Sequence, residues 1–473
     1  MCLILLQAFL SSFTFVNAHA ETANLSKRTL IVDSKKYDVN VISYNFENND
    51  YISLRDVAHA LKDTGSAFDL SISSTEILIT LDKPLSPSTA TSSWTSEYAA
   101  GVKVTLKTND LKVNNNKVKY YTIKAADSAG VYDCFMSLID ISMVLDIDIK
   151  LDDEKNIVMD TEVSFNVDPD ELYKEGYFEG VNSVMIGDAT TGEVWYGYDE
   201  DEDFPIASTT KLMTYIVFMD AVSNKEVDLN GATTVSKAGQ DLAEGPDGVV
   251  PLKEGMTVPN KELIDGMLLK SSNECALTLA EAVSGSESAF IERMNEKARE
   301  IGLTTAVFYN SNGLPVYSGS IATSKTQNRM SAEDMFKLTS YLLKVYPQVK
   351  DITSKKEGYM DTVGIKIETT NALLYNIPET TGLKSGTTIK AGCCLVTSLQ
   401  VDDHDLVVVL FGAESGLERV RVSEVLSRYA ILRYKNGVNL GSKDNAVNDL
   451  PGTAEGVVMK ILRSAQSKKE AKQ

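Results

Sequence analysis

Three short motifs follow one another in the C-terminal half of this chain: Ser208-Thr209-Thr210-Lys211, Ser271-Ser272-Asn273 and Lys384-Ser385-Gly386. Each alone is common. Together and in this order they are the set expected of an acyl-transfer site with a serine nucleophile and a lysine base. They restrict the fold to one that brings a helix start, an inter-helix loop and a strand to a single point. A serine hydroxyl is a weak nucleophile near neutral pH and needs an adjacent base. The chain has 3 histidines, His19, His59 and His404. The first lies in an apolar N-terminal segment and the second in a different region. The third lies in Asp402-Asp403-His404-Asp405, a polar turn between two apolar runs. A Ser-His-Asp triad is therefore not expected, and another base must serve.

Lys211 is that candidate. If Ser208 opens a helix, Lys211 lies one turn on and on the same face. The run Leu212 to Met219 is apolar nearly all round, which predicts a buried helix. Burial lowers a lysine pKa, by up to about 3–5 units when complete. The helix N-terminus also favours negative charge developing near Ser208. Taken alone, Ser-x-x-Lys would read as a serine cap with a solvated lysine; the two later motifs reverse that. Ser271 and Asn273 fall at a polar break between apolar helices, Glu262 to Leu269 and Ala276 to Val283. Ser271 is placed to relay a proton between Lys211 and a leaving group, and Asn273 to hydrogen-bond a substrate amide; the alternative is a plain helix cap. Lys384, Ser385, Gly386 and Thr387 open a predicted strand. A cation and a hydroxyl there suit a substrate carboxylate, and Gly386 lets another backbone approach closely. The amides of Ser208 and Thr387 are the expected oxyanion hole. The competing reading of that segment is a hairpin edge with a solubilising lysine.

From about Val167 to Asn436 the chain resembles the low-molecular-mass penicillin-binding proteins of the D-alanyl-D-alanine carboxypeptidase family. Further segments agree. A hairpin is predicted over Val184 to Tyr198, turning at Asp188-Ala189-Thr190-Thr191-Gly192-Glu193. Phe308-Tyr309-Asn310-Ser311-Asn312-Gly313-Leu314-Pro315 is similar to the family's Phe-x-Asn-x-x-Gly-Leu-Pro. Met330-Ser331-Ala332-Glu333-Asp334-Met335 matches its next helix start. Thr370-Asn371-Ala372-Leu373-Leu374 and Ala391-Gly392-Cys393-Cys394-Leu395 flank the third motif. The resemblance implies an α+β penicillin-recognising serine-enzyme fold with an antiparallel sheet and helices. It implies that Ser208 attacks the D-Ala-D-Ala amide of a peptidoglycan stem peptide and that Lys211 takes its proton. Ser271 would then protonate the departing D-alanine, Lys384 and Ser385 would bind the terminal carboxylate, and Asn273 the peptide backbone. Water would hydrolyse the acyl-enzyme, and β-lactam antibiotics would acylate the same serine. Two departures stand out: Ser385 where threonine is commoner, and Glu274-Cys275 where Asp-Ala is usual. Cys275 is expected to pack as a small hydrophobe.

Several readings share these motifs. A β-lactamase needs fast deacylation, in class A enzymes through a glutamate-held water. No Glu-x-x-Leu-Asn segment lies between the second and third motifs; Glu368-Thr369-Thr370-Asn371 comes nearest and lacks the leucine. A transpeptidase or endopeptidase would differ only in acceptor or bond position. A catalytically silent wall-binding protein would have no reason to keep both Ser208 and Lys211.

The chain's 473 residues suffice for two or three domains. It carries 66 acidic against 46 basic residues, a net charge of −20, which argues against nucleic-acid binding and against tight attachment to anionic lipid or wall polymer. The acidic run Asp199 to Asp203 is expected to be a solvated loop. No metal-ligand spacing is present, and no cofactor is expected. Cys134, Cys275 and the adjacent Cys393-Cys394 form no evident disulfide framework. Residues 1–20 read as a secretory signal, apolar from Leu3 to Val16 and ending in Ala18-His19-Ala20, although without a basic start. The expected location is thus extracytoplasmic, in the cell wall or on the outer face of the membrane.

Residues 29–162 form a region of short β-like runs with an internal near-repeat. Tyr51-Ile52-Ser53-Leu54-Arg55-Asp56-Val57-Ala58 echoes Phe135-Met136-Ser137-Leu138-Ile139-Asp140-Ile141-Ser142, each followed by a helical stretch and a strand pair. A tandem of two α+β units is predicted. It resembles the non-catalytic domain named after the N-terminus of copper amine oxidases, implies no copper, and would serve in wall binding or as a spacer. The stretch Asp82 to Tyr98 is expected to be a loop within it. Residues 163–177 are the expected linker, 178–436 the catalytic domain and 437–473 a C-terminal tail. Within the tail, the short and weakly amphipathic Ala454 to Ser464 is a candidate for slight membrane-surface contact.

Overall fold

The computed structural model describes residues 20–44, 49–86, 102–108, 111–126, 131–165, 180–315, 317–318, 321–322 and 326–435. The expected signal segment before residue 20, the expected loop 82–98 beyond residue 86, the expected linker beyond residue 165 and the expected C-terminal tail lie outside these. The chain divides into two compact units, Met1–Asn166 and Val167–Gln473.

The first unit is built from the two repeats, and they interlock. Each contributes a hydroxyl-capped helix: Ser53 caps Leu54–Leu61 by accepting from Asp56 N, and Ser137 caps Leu138–Leu145 by accepting from Asp140 N. Each helix is followed by an antiparallel strand pair, Phe68–Ile72 with Ile77–Leu81 and Asp148–Leu151 with Ile157–Asp160. These pairs do not close on their own repeat. Ile157 of the second repeat pairs in parallel with Leu30 of the first, and Ile77 of the first pairs in parallel with Leu111 of the second. The repeated strands themselves meet antiparallel, Phe135 opposite Ser53 and Met136 opposite Ile52. The result is an eight-stranded and a four-stranded sheet with strands exchanged in both directions. The physical reason is burial. A single repeat cannot cover its apolar set, whereas the exchange leaves Leu30, Ile52, Leu54, Ile77, Ile79, Leu111, Phe135 and Ile157 almost wholly buried.

The second unit is α+β. Its five-stranded antiparallel sheet runs in the order Glu193–Tyr198, Ser183–Asp188, His404–Ala413, Gly392–Val401, Thr380–Thr388. The expected opening hairpin is its first pair. Alternation sorts the central strand between two faces. Val407, Val409 and Phe411 join the core that holds Met335 and Phe336 of helix Ala332–Val345. Leu406, Val408 and Leu410 are also buried, and the C-terminal helix Gly416–Lys435 packs on this sheet. Beside the sheet lies a helical layer formed by Lys211–Ser223, Asn260–Leu268, Asn273–Ser284 and Glu287–Ile301. The strand Thr380–Thr388 is the edge of the sheet on the side facing the turn that carries Ser208. Cys134, Cys275, Cys393 and Cys394 are buried free thiols, and Cys275 packs as a core residue as expected. Among the described residues no helix is long and apolar enough to cross a membrane.

Candidate active site

Ser208 lies on a short 3-10 turn, Ala207–Thr210, that runs into the helix beginning at Lys211. That helix is buried over most of its length, which carries Lys211 into the interior with 0% exposure. Its Nζ stands 2.9 Å from Ser208 Oγ, 2.8 Å from Asn273 Oδ1 and 2.6 Å from the carbonyl oxygen of Asn312. Burial lowers the Lys211 amine to about 7, against the opposing pull of Glu274 and, more weakly, Asp247. The partners fix the direction of the lone pair. A neutral amine has two N–H groups, and two of its neighbours, an amide oxygen and a peptide carbonyl, only accept. With both N–H groups given to Asn273 and Asn312, the lone pair is left facing the Ser208 hydroxyl, which can then donate to it.

The second motif sits as expected between two helices. Ser272 is the cap of Asn273–Ser284, accepting from Cys275 N at 3.0 Å. Thus the capping reading and the site reading both hold, on neighbouring residues. Ser271 adopts a φ of 66°, and Ala207, just before Ser208, 48°. Non-glycine residues seldom occupy this region, and such positions gather at functional sites. The Ser271 hydroxyl accepts from Lys384 Nζ at 2.8 Å; it is paired with the third motif rather than with Lys211. Asn273 spends its oxygen on Lys211 and its Nδ2 on the carbonyl of Asp247, at 3.2 Å. It thereby ties the Lys211 amine to the loop at Asp247.

Lys384, Ser385, Gly386 and Thr387 lie on the edge strand. Lys384 is 1% exposed and also donates to the Ser385 carbonyl at 2.8 Å. Burial, with the neighbouring cations Lys211 and Arg419, pushes its amine well below the ordinary lysine range. A methyl group on Gly386 would come within 2.8 Å of Ser208 N, so only glycine lets the strand lie this close to the Ser208 amide. At Gly313, with φ +89°, any Cβ would fall 2.0 Å from the Ala207 carbonyl oxygen. The segment that supplies Asn312 therefore also presses against the Ser208 turn.

Three participants were not singled out from the sequence. Asn312 lies in the Phe308-to-Pro315 segment, which signalled the family without a role; its contribution is a backbone carbonyl, which no side-chain pattern announces. Arg419, in the first turn of the last helix, donates to Thr387 Oγ1 at 3.0 Å. Thr370 lies 2.6 Å from Ser385, hydroxyl to hydroxyl. Both reach the site only through the sheet topology. The glutamate that came nearest to a class A pattern, Glu368, is exposed on its strand and pairs with Lys366 at 3.4 Å. Asp199 to Asp203 form a turn rather than a wholly solvated loop: Asp203 pairs with Arg329, and Glu200 O accepts from Glu333 N.

The family model described as D-alanyl-D-alanine carboxypeptidase matches residues 180–415. The chain is 30% identical over 261 residues to D-alanyl-D-alanine carboxypeptidase DacF of Bacillus subtilis (strain 168), an alignment covering 54% of this chain and 63% of that protein. It is 30% identical over 242 residues to D-alanyl-D-alanine endopeptidase of Escherichia coli (strain K12), covering 49% and 71%. Among solved structures it is similar to a peptidoglycan synthesis regulatory factor (PBP3) from Streptococcus pneumoniae, with 28% identity and a TM-score of 0.49 over 53% of this chain and 71% of that one. The chain thus spans less than two thirds of DacF.

Proposed function

This chain belongs to the D-alanyl-D-alanine carboxypeptidase family, and on that premise we propose that it is a serine-type D-alanyl-D-alanine carboxypeptidase, removing the terminal D-alanine of peptidoglycan stem peptides through an acyl-enzyme on Ser208. The observation that carries the reading is the buried Lys211 amine 2.9 Å from Ser208 Oγ, with both other partners acceptors.

In this mechanism Ser208 Oγ bonds to the penultimate D-alanine carbonyl carbon while its proton passes to Lys211. The oxyanion takes up the amides of Ser208 and Thr387, donors of a kind worth about 3–4 kcal/mol each to such a transition state. The C–N bond then breaks. The departing nitrogen takes a proton from Ser271, which recovers one from Lys384, its partner at 2.8 Å. In deacylation water gives its proton through Ser271 back to Lys384 and its hydroxide to the acyl carbon, and Lys211 returns its proton to Ser208. The substrate carboxylate binds Lys384 and Ser385, and its charge restores the protonated form of Lys384. Asn273 holds Lys211 and the loop at Asp247, with the peptide backbone running beside it. A β-lactam presents the same carbonyl and carboxylate and acylates the same serine. The exposed position of Glu368 supports a slow rather than a rapid turnover of that adduct.

The first unit is proposed to be a domain of the copper amine oxidase N-terminal type, non-catalytic and metal-independent, serving in wall binding or as a spacer. The apolar segment Leu3 to Val16 and the family's D-alanyl-D-alanine chemistry support an extracytoplasmic place of action, in the cell wall or on the outer face of the membrane, with slight surface contact by the segment Ala454 to Ser464.

D-alanine release from a synthetic stem pentapeptide, with Ser208→Ala as control, tests the activity. Release that Ser208→Ala abolishes supports it. Cleavage of a cross-linked dimer into its two peptides, with no D-alanine released from the pentapeptide, would instead place the scissile bond inside the cross-link, the endopeptidase reaction named for the Escherichia coli relative.

A further inference from the structure

The third motif has Ser385 where threonine would supply its own restraint. A threonine's methyl group leaves few χ1 rotamers; a serine turns freely among three. In this chain a second hydroxyl stands in for the methyl. Thr370 Oγ1 lies 2.6 Å from Ser385 Oγ and is, among the described residues, the hydrogen-bond partner of that hydroxyl. Ser385 is 5% exposed and Thr370 half-buried.

The segment that carries Thr370 is tied down on both sides. Thr369 N donates to the Lys356 carbonyl at 3.0 Å, and Thr369 Oγ1 accepts from Asn371 N at 3.1 Å. Asn371 Nδ2 donates to the carbonyl of Gly382 on the edge strand itself, at 3.0 Å, while its Oδ1 accepts from Leu373 N. Thr370 is therefore fixed relative to the strand that bears Ser385, and its hydroxyl is preorganised.

We infer that Thr370 is a positioning residue for substrate recognition: it donates to Ser385 Oγ, selects the rotamer of that hydroxyl and leaves the Ser385 proton free to bond the substrate carboxylate. The direction follows from the inventory. A carboxylate only accepts, so Ser385 must donate to it, and the bond from Thr370 must then run toward Ser385. Thr370 does not touch the substrate in this scheme. The inference rests on the carboxypeptidase reading of the same site.

The test is a set of variants assayed for D-alanine release from a stem pentapeptide and for the second-order rate of acylation by benzylpenicillin. Thr370→Val keeps the shape and removes the hydroxyl. It should raise KM about 3- to 10-fold, the effect of one hydrogen bond, and lower the acylation rate by a similar factor, with kcat changed less than about twofold. Thr370→Ser should remain near wild type. Adding Ser385→Thr to Thr370→Val should restore most of the loss, because the methyl takes over the restraint. Thermal melting of Thr370→Val separates misfolding from mispositioning, and the Ser385→Thr rescue does so independently. Thr370→Val kinetics equal to wild type, or a loss that Ser385→Thr fails to restore, would overturn the inference while leaving the carboxypeptidase reading intact. A wild-type protein that neither releases D-alanine nor is acylated overturns both.

Discussion

Asn273 accepts from Lys211 at 2.8 Å through its side-chain oxygen, while its amide nitrogen donates to the Asp247 carbonyl. One side chain from the second motif thus orients the Lys211 amine supplied by the first. Asn273→Ala leaves a Lys211 N–H without its acceptor and frees the amine to turn from Ser208. Acylation by benzylpenicillin should fall about 10- to 100-fold. Stopped-flow or quenched acylation kinetics, with circular dichroism to show an unchanged fold, measure it.

The pH profile reports the base directly. Lys211 is competent only when neutral, and burial brings its amine to about 7. The acylation rate should therefore be low at pH 5, rise through pH 7 and level off above it. Lys211→Arg, whose side chain cannot be deprotonated in this range, should lose about 10²-fold or more and lose the rising limb with it.

Glu274 is wholly buried, and one of its carboxylate oxygens accepts from both Val249 N and Val250 N. Glu274→Ala strands two backbone donors and opens a cavity. A loss of about 2–3 kcal/mol is expected, which corresponds to about 3–6 °C in the melting temperature of a unit of this size. Differential scanning calorimetry of wild type and variant checks this.

His404 and Asp188 join two neighbouring strands of the sheet, His404 Nδ1 to Asp188 Oδ2 at 2.6 Å. The hydrogen bond to Asp188 raises the His404 pKa above its ordinary value. A raised pKa in the folded state gives stability that is complete below about pH 6.5 and disappears as pH rises through the folded value. The melting temperature of wild type minus that of His404→Gln should therefore be larger at pH 5.5 than at pH 8.5. A difference that grows with pH would contradict the pairing.

The local part of the site was legible in the sequence, and the topological part was not. Ser208 and Lys211 lie one helical turn apart, and the apolar run after them predicts burial, so their contact needs no knowledge of the rest of the chain. The strand that carries Lys384 and the apolar runs on either side of the His404 turn follow from short-range pattern in the same way. Ser271 was expected to face Lys211 and pairs with Lys384 instead, because the strand returns to the loop from a distance that no local pattern reports. Thr370 and Arg419 reach Ser385 and Thr387 for the same reason. In the first unit the repeat and its helices could be read from matching residues. The exchange of Ile77 and Ile157 between repeats could not, since an apolar strand pairs as well with one neighbour as with another until burial of the whole is counted.

The most direct test of the account is the intact mass of the protein after mixing with benzylpenicillin, beside Ser208→Ala. The expected result is a single slowly decaying adduct of the antibiotic's mass on wild type, mapped to the peptide containing Ser208, and none on the variant. An adduct that persists in Ser208→Ala, or a wild-type protein that forms none and consumes no antibiotic, would contradict the assignment of Ser208 as the nucleophile.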